Sequence, residues 1–250
     1  MVITFDGSFE GFLCVIYAVY YEKLSPQIIQ IEGQEPLTID VFSAPRRIET
    51  DDERASRVYK AVCEKISEQA AEYIFYAFLS EEENRFVTIL SYVKLGFSVG
   101  HMVDSYLHEP FVAQVRKLAR YVGREAHLLY GFCRFEKTLI DKNEIFYCKV
   151  TPKNDVLILL AQHFCQRLMN QAWIIHDANR NKAAVYDGNS YAVVNVPSDA
   201  KIIFAPDEPE TQELWRSFVD ALSIKERTNP KLQRQLLPLY FRKNMTEFDT

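Results

Sequence analysis

The chain has 250 residues, of which 48% are hydrophobic, so it is long enough to bury one large core or two smaller cores that share an interface. Its net charge of -5 excludes the bulk positive charge of a stand-alone nucleic-acid binder, so any such binding has to be local. The apolar stretch near the N-terminus, Gly11–Tyr21, is shorter than the ~20 residues that span a bilayer, and we expect a soluble cytoplasmic protein with no membrane contact.

The first predicted elements are a short strand and a helix. Val2–Phe5 alternate weakly, as a strand does, and Asp6-Gly7-Ser8 then predicts a turn and a helix N-cap. Apolar residues recur at helical spacing from Phe9 to about Lys23, which predicts a first helix.

Two capping boxes are predicted next. Thr50 and Glu53 predict the start of a second helix, over Asp51–Tyr73. Ser80 and Glu83 have the same spacing and predict the start of a third.

The third predicted helix ends at a break between Gly96 and Gly100. Pro110 is placed as the first residue of a fourth helix, which continues through Val122. The first half of the chain is therefore predicted to be mainly helical.

The periodicity changes near Tyr130. Gly131–Thr138 and Glu144–Thr151 predict a hairpin around Asp141-Lys142-Asn143, and a helix follows from Pro152. Three further strands are predicted at Ala172–His176, Ala183–Asp187 and Tyr191–Asn195. Residues 130–196 thus predict a ββαβββ unit with an antiparallel sheet and one helix against a face.

A C-terminal helix is predicted from about Glu208 to Leu222, followed by a tail punctuated by prolines. The predicted fold class is α+β. We expect a mainly helical subdomain over residues 1–128 and an α+β subdomain over residues 129–250, interlocked as one structural unit.

Local positive charge occurs in two segments, Val115–Arg134 and Lys225–Lys243. Such segments can follow a nucleic-acid backbone, but they are equally typical of solvated helix faces that are balanced by acid elsewhere.

His163 and Arg167 are four residues apart on a predicted helix and therefore share one of its faces. An imidazole and a guanidinium placed together can bind a phosphate. The alternative is an ordinary polar stripe on an amphipathic helix.

Arg134 follows Phe132 by two residues in a predicted strand, so both side chains are predicted on one face of the sheet, where they could stack a base and hold its phosphate. A structural ion pair between Arg134 and Glu136 or Glu144 is an equally good explanation.

Two other candidate sites contain acidic residues. Asp177, Asn179 and Arg180 lie at a predicted strand end, where loops often carry function. Asp6 and Glu10 could be paired carboxylates for acid-base or metal chemistry. Turn formation and helix capping explain the same residues without any chemistry.

The cysteines and histidines do not predict a metal or a cofactor. The five cysteines are an odd number without a CxxC group, which is typical of reduced thiols. No two histidines have the spacing of a metal site, and no glycine-rich nucleotide-binding loop is found. We therefore expect no bound metal, iron-sulfur cluster or other cofactor.

Several stretches together carry a family resemblance. They are FDGSFEGFL at Phe5–Leu13, His127 with Gly131–Phe135, Pro152 through His163 and Arg167 to Ile175, Asp177 and Arg180, and LLPLYFRKNMTEF at Leu236–Phe248. In these stretches the chain resembles a bacterial domain family of unknown function numbered 4130, whose members are described as probable DNA metabolism proteins.

The resemblance implies a role linked to DNA. Members of that family typically lie beside a radical SAM protein of DNA modification or repair, and elsewhere the domain is fused to a uracil-DNA glycosylase-like domain. The family has no established catalytic residues, so none is assigned. The candidates for DNA binding are Arg134, His163, Arg167, Arg180, Arg242 and Lys243, and the other candidates are Asp6, His127 and Asp177.

Three functions remain open at this stage. The preferred hypothesis is an accessory protein that binds DNA, or binds a radical SAM or glycosylase-like partner on DNA. The alternatives are a nuclease or base-processing hydrolase and a protein scaffold without DNA contact. These hypotheses differ in whether the candidate arginines and histidines lie together on the folded protein.

Overall fold

The structure of the chain is a computed structural model that describes residues 1–34, 45–140, 143–197 and 202–248. The chain divides into two compact units, Met1–Gly123 and Arg124–Thr250. The predicted α+β class is confirmed, because helices dominate the first half and a five-stranded sheet and a C-terminal helix follow.

The first unit contains a small parallel sheet in the order β2-β1-β3. Its strands are β1 (Val2–Phe5), β2 (Ile28–Ile31) and β3 (Arg46–Arg47). The predicted first strand is confirmed. The other two were not predicted, because they are too short to show a period and form only by pairing with β1.

Helices cover this sheet and form most of the first unit. They are α1 (Phe9–Tyr21), α2 (Asp52–Lys65), α3 (Glu68–Phe78), α4 (Arg85–Val99), which continues as a 3-10 helix over Gly100–Ser105, and α5 (Pro110–Phe132). Phe5, Phe12 and Phe86 are buried together, with ring centroids 5.1–5.9 Å apart. Edge-to-face and tilted aromatic packing therefore lies at the centre of this core.

The predicted single helix over Asp51–Tyr73 is wrong. The chain breaks at Ile66, and Ser67 starts α3 by accepting a hydrogen bond from the backbone N–H of Ala70 at 3.0 Å. A serine within a helical pattern can cap a new helix, and here the apolar spacing continues across the break, which conceals it.

Both predicted capping boxes are also wrong. Asp51, rather than Thr50, caps α2 by accepting from the N–H of Arg54 at 2.9 Å. The Ser80 hydroxyl accepts from the N–H of Glu82 in a turn, and α4 begins only at Arg85. The Thr50 hydroxyl instead donates to Asp6, 44 residues away, and the Ser80 hydroxyl is used within its own turn.

The apolar stretch Arg85–Ser105 is long enough, with a mean hydropathy of 1.4, to pass a length-and-composition test for a membrane span. Core helices of globular proteins pass the same test. Phe86, Ile89 and Val93 of this stretch are buried in the core of the first unit.

The second unit contains a five-stranded sheet in the order β4-β5-β6-β7-β8. Its strands are β4 (Glu136–Ile140), β5 (Asn143–Val150), β6 (Trp173–Asp177), β7 (Lys182–Tyr186) and β8 (Tyr191–Asn195). Its helices beyond the end of α5 are α6 (Leu157–Arg167), α7 (Glu208–Leu222), α8 (Pro230–Leu236) and α9 (Leu239–Arg242). The predicted order of strands and helices is confirmed.

The sheet is mixed, so the prediction of a fully antiparallel sheet is wrong for one pair. β5 and β6 run parallel, from Phe146 opposite Trp173 to Val150 opposite Asp177. The reason is α6, which connects these two strands and returns the chain to the end of the sheet at which β5 began. The other three pairs are antiparallel, as expected.

The predicted strand over Gly131–Thr138 begins too early. α5 continues to Phe132, because Val122, Ala126 and Leu129 extend its buried stripe at helical spacing, and β4 begins at Glu136. The hairpin of β4 and β5 is confirmed, although Asp141 and Lys142 of its predicted turn lie outside the described residues.

We expect Leu159→Ala to lower the free energy of unfolding by about 2–5 kcal/mol, because Leu159 is buried on α6 and its truncation leaves a cavity. Gln162→Ala, at an exposed position of the same helix, is the control and should change stability by less than about 0.5 kcal/mol. Denaturant unfolding of both variants measures the difference. A loss at Leu159 no larger than that at Gln162 would contradict the packing of α6.

Candidate functional site

Asp6 forms the N-terminal turn of α1. Its Oδ1 accepts from the backbone N–H and the hydroxyl of Ser8 at 2.9 and 2.7 Å, and its Oδ2 accepts from the Thr50 hydroxyl at 2.7 Å. Burial acts to raise the pKa of Asp6, but these hydrogen bonds outweigh it and the pKa is lowered. A Cβ on Gly11 would lie 2.2 Å from Oδ1, so glycine there leaves room for the carboxylate.

Glu10 is exposed on the first turn of α1, where its charge complements the helix dipole. No hydrogen bond joins Glu10 to Asp6 among the described residues. The structure therefore places Asp6 in a turn and Glu10 in the first turn of a helix.

Asp177 and Arg180 hold a loop. Asp177 is fully buried at the end of β6, and its Oδ2 accepts from Arg180 at 2.7 Å. Arg180 also donates to the backbone carbonyls of Pro152 and Lys153, and Asn179 Nδ2 donates to Pro152 at 2.8 Å. Burial raises the pKa of Asp177, although the bonds from Arg180 and Asn179 act in the opposite direction.

Glu125, on α5, holds the same loop from another side, and sequence analysis missed it. Its buried carboxylate accepts from the backbone N–H of Lys153 and Asn154 at 2.8 and 2.9 Å and from the Asn154 side chain at 2.7 Å. Tyr240 lies against this carboxylate, and burial followed by the charge of Glu125 raises the pKa of Tyr240 to about 12.

Arg134 is part of an ion pair in the second unit. Its guanidinium donates two bonds to Glu247, at 3.1 and 2.6 Å, and lies 5.2 Å from the centre of the Trp215 ring. Phe132 ends α5 and Arg134 lies before β4, so the prediction that both side chains share a strand face is wrong. The partner is Glu247 rather than Glu136 or Glu144.

Arg242 is also used internally. Its Nε and one terminal nitrogen both donate to the carbonyl of Leu237 at 3.2 Å, and its guanidinium lies 4.6 Å from the Phe248 ring centre. Asn244 donates to the Thr151 hydroxyl at 3.0 Å, so much of the C-terminal motif fastens the tail to the unit. Lys243 is exposed.

Four side chains from two helices meet on the surface of the second unit. His127 and Tyr130 lie on α5, and His163 and Arg167 lie on α6. The rings of Tyr130 and His163 are stacked, with centroids 4.0 Å apart and an interplanar angle of 11°. The His127 ring is 6.1 Å from that of Tyr130. These four residues are named the His163 patch.

The His163 patch is locally positive. Arg167 is exposed and makes no hydrogen bond or ion pair within the part of the chain that the structure describes. Burial, and then the positive charges of Arg167 and His127, lower the pKa of His163, and no carboxylate contributes to the shift. An anion placed among these side chains would gain favourable electrostatic energy from the Arg167 guanidinium.

The predicted candidates therefore separate into two groups. Arg134, Arg180 and Arg242 make internal bonds, whereas His163 and Arg167 meet His127 at the surface. Sequence analysis missed Tyr130. Tyr130 follows His127 by three residues, which would place both on one face of a helix, but α5 was predicted to end before Tyr130.

His176 lies elsewhere on the sheet. Its Nδ1 is 2.7 Å from the Tyr147 hydroxyl, and its buried Nε2 has no hydrogen-bond partner among the described residues. Burial lowers the pKa of His176. Within the same residues, no group of three or more histidine, cysteine, aspartate and glutamate side chains could hold a metal ion.

Comparison with known proteins gives one match. The model of a family described as a domain of unknown function, DUF4130, matches residues 83–247, which is well over half of the chain and includes the His163 patch. Searches of curated proteins and of solved structures find no match.

We expect Arg134→Ala to destabilise the protein by about 1–3 kcal/mol, because it leaves the poorly exposed Glu247 carboxylate without its guanidinium partner. Arg167→Ala removes the same charge at an exposed position that has no ion pair with any residue the structure describes, and it is the matched control. Thermal melts compare the two variants. Equal melting temperatures would contradict a structural role for Arg134.

The lowered pKa values of His163 and His176 predict acid sensitivity. Unfolded histidine binds protons more readily than these two side chains, so the stability they contribute is present above the unfolded pKa of about 6.5 and is lost as the pH falls below it through their lowered folded-state pKa values. We expect His163→Gln to lose less unfolding free energy than wild type between about pH 7.5 and 5.5. His101→Gln, at an exposed position, is the control, and an unchanged pH dependence in His163→Gln would refute the assignment.

Proposed function

Because this chain belongs to the family of the domain of unknown function DUF4130, its function has to be argued from its own residues, and we propose that it is an accessory protein of DNA metabolism that binds DNA phosphates through the His163 patch. The observation that carries this proposal is the Arg167 guanidinium, which has no hydrogen-bond or ion-pair partner among the described residues and lies near two histidines and a tyrosine.

Charge supports local binding. The whole chain has a net charge of -5, so a phosphate backbone is repelled on average and has to be attracted at a particular place. Arg167 provides a fixed cation, and its planar guanidinium matches two oxygens of a phosphate. His163 adds charge when an approaching anion favours its protonation.

The aromatic pair supports a nucleic-acid ligand over a simple anion. Tyr130 and His163 form a flat, half-exposed stack beside the cation. Bases stack on such side chains with little dependence on sequence, while neighbouring cations hold the backbone. The patch therefore combines the two contacts that sequence-independent DNA binding needs.

The state of the acidic candidates favours binding over hydrolysis. The Asp6 carboxylate accepts three hydrogen bonds, and the Asp177 carboxylate is buried against Arg180. Both carboxylates are thus used to hold turns. The proposal accordingly assigns the chemistry to a partner, a radical SAM protein or a uracil-DNA glycosylase-like protein in the cytoplasm, in repair or modification of DNA.

We expect Arg167→Ala to weaken binding to a DNA oligonucleotide by a similar factor for all sequences and to reduce the slope of log affinity against log salt by roughly one unit. Fluorescence anisotropy with single- and double-stranded oligonucleotides at several salt concentrations measures both quantities. Folding should be unaffected, because the side chain is exposed.

Two further variants serve as controls. Arg57→Ala removes an exposed arginine of α2 that is paired with Glu53, and it should leave the salt slope unchanged. Arg134→Ala should lower the melting temperature but leave the affinity per folded molecule unchanged. Wild-type protein that shows no salt-dependent binding, alone or with its partner enzyme, would refute the proposal and favour a scaffold.

A further inference from the structure

A groove in the first unit is formed by α3 and the first part of α5. It has a volume of about 670 Å³, within the range of about 300–1,000 Å³ that is common for small-ligand sites. Its polar lining comes from Tyr73, Tyr76 and Glu72 of α3 and from three cations of α5. This surface is named the α3–α5 groove.

The three cations are Arg116, Lys117 and Arg120. Arg116 is held in place, since it donates to the carbonyl of Asp104 at 3.3 Å and lies 5.9 Å from the centre of the Tyr73 ring. Lys117 and Arg120 are exposed, and neither forms an ion pair with a described residue. The groove therefore carries positive charge that the described part of the chain does not neutralise.

Among the described residues that line the groove, Glu72 alone carries a carboxylate, and its Oε2 accepts from the Gln69 side chain at 2.7 Å. A single acidic group among three cations leaves an excess of positive charge. Glu72 is exposed, so solvent screens it.

Two half-buried tyrosines give the groove an aromatic wall. Gly123 of α5 faces Tyr76, and a Cβ at that position would lie 3.2 Å from the edge of the ring. Glycine within a helix costs about 1 kcal/mol relative to alanine, so its presence is explained by this close approach of the ring. Burial, and then the charge of Glu72, raise the pKa of Tyr76, which keeps its hydroxyl protonated as a donor.

We propose that the α3–α5 groove binds one nucleotide unit, with the base against Tyr73 and Tyr76 and the phosphate held by Lys117 and Arg120. Aromatic walls with neighbouring cations match the two parts of such a ligand, a flat ring and an anion. The nucleotide is either free or part of a single strand. This proposal does not rest on the proposed function, because the His163 patch uses other residues of the other unit.

The test titrates deoxyadenosine monophosphate by isothermal calorimetry and a short single-stranded oligodeoxyadenylate by fluorescence anisotropy. Binding of the mononucleotide identifies a site for a free nucleotide, and binding of the oligonucleotide alone identifies a site for a single strand. Either result supports the proposal if the groove variants weaken the binding. We expect Tyr76→Leu to weaken binding by roughly five- to 150-fold, the range for loss of a stacked base. Tyr76→Phe, which keeps the ring, should retain most of the affinity.

The double variant Lys117→Gln and Arg120→Gln changes only exposed side chains, so it stays informative if Tyr76→Leu fails to fold. It should weaken both ligands and reduce the salt dependence. Lys60→Ala, at an exposed cation of α2, is the control and should bind as wild type. The proposal would be overturned if wild type bound neither ligand, or if wild type and the double variant bound equally well. Both outcomes are independent of the result at Arg167.

Discussion

The second unit depends on the loop between β5 and α6, because distant elements hold its backbone with charged side chains. The Glu125 carboxylate of α5 accepts hydrogen bonds from the backbone N–H groups of this loop. Arg180, which is fixed by the buried Asp177, donates hydrogen bonds to the backbone carbonyls of the loop. Buried backbone groups and charges are costly unless they are paired, and here each satisfies the other. The loop leads into α6, so its position determines where that helix begins and which of its residues face α5. Tyr130 of α5 stacks on His163 of α6, the helix that follows this loop.

The same pairing rule distinguishes structural cations from those available to a ligand. Arg134, Arg180 and Arg242 are all bonded within the second unit, to a carboxylate or to backbone carbonyls. Arg167 lies at the last turn of α6, where the helix dipole favours a cation, and is otherwise unpaired in the described residues. The chain carries an excess of acidic residues, but Arg167 is left without a partner in the described residues and lies near two histidines. The electrostatic potential at the His163 patch is therefore positive, although the net charge of the chain is negative. This contrast is the physical basis of the proposed DNA contact.

Much of the fold could be predicted from the sequence, because it depends on local signals. β1, β8 and α7 have the predicted bounds, and the His163–Arg167 pair shares a helix face as its spacing indicates. The errors arise where a local signal is concealed or where tertiary structure decides. The apolar spacing continues across the break before Ser67 and conceals it, and the parallel β5–β6 pair depends on the side from which α6 returns. Tyr130 joins the His163 patch because α5 continues past the end that we predicted for it.

The central claim is that the His163 patch takes up a phosphate, and the most direct measurement is the pKa of His163 by NMR, without and with a DNA oligonucleotide. The imidazole signals are assigned with His163→Gln. In the free protein, burial and the charges of Arg167 and His127 hold the pKa of His163 below its ordinary value. A bound phosphate should raise that pKa, because it stabilises the imidazolium, and the rise should be smaller in Arg167→Ala. A pKa that stays the same at saturating oligonucleotide would contradict the account.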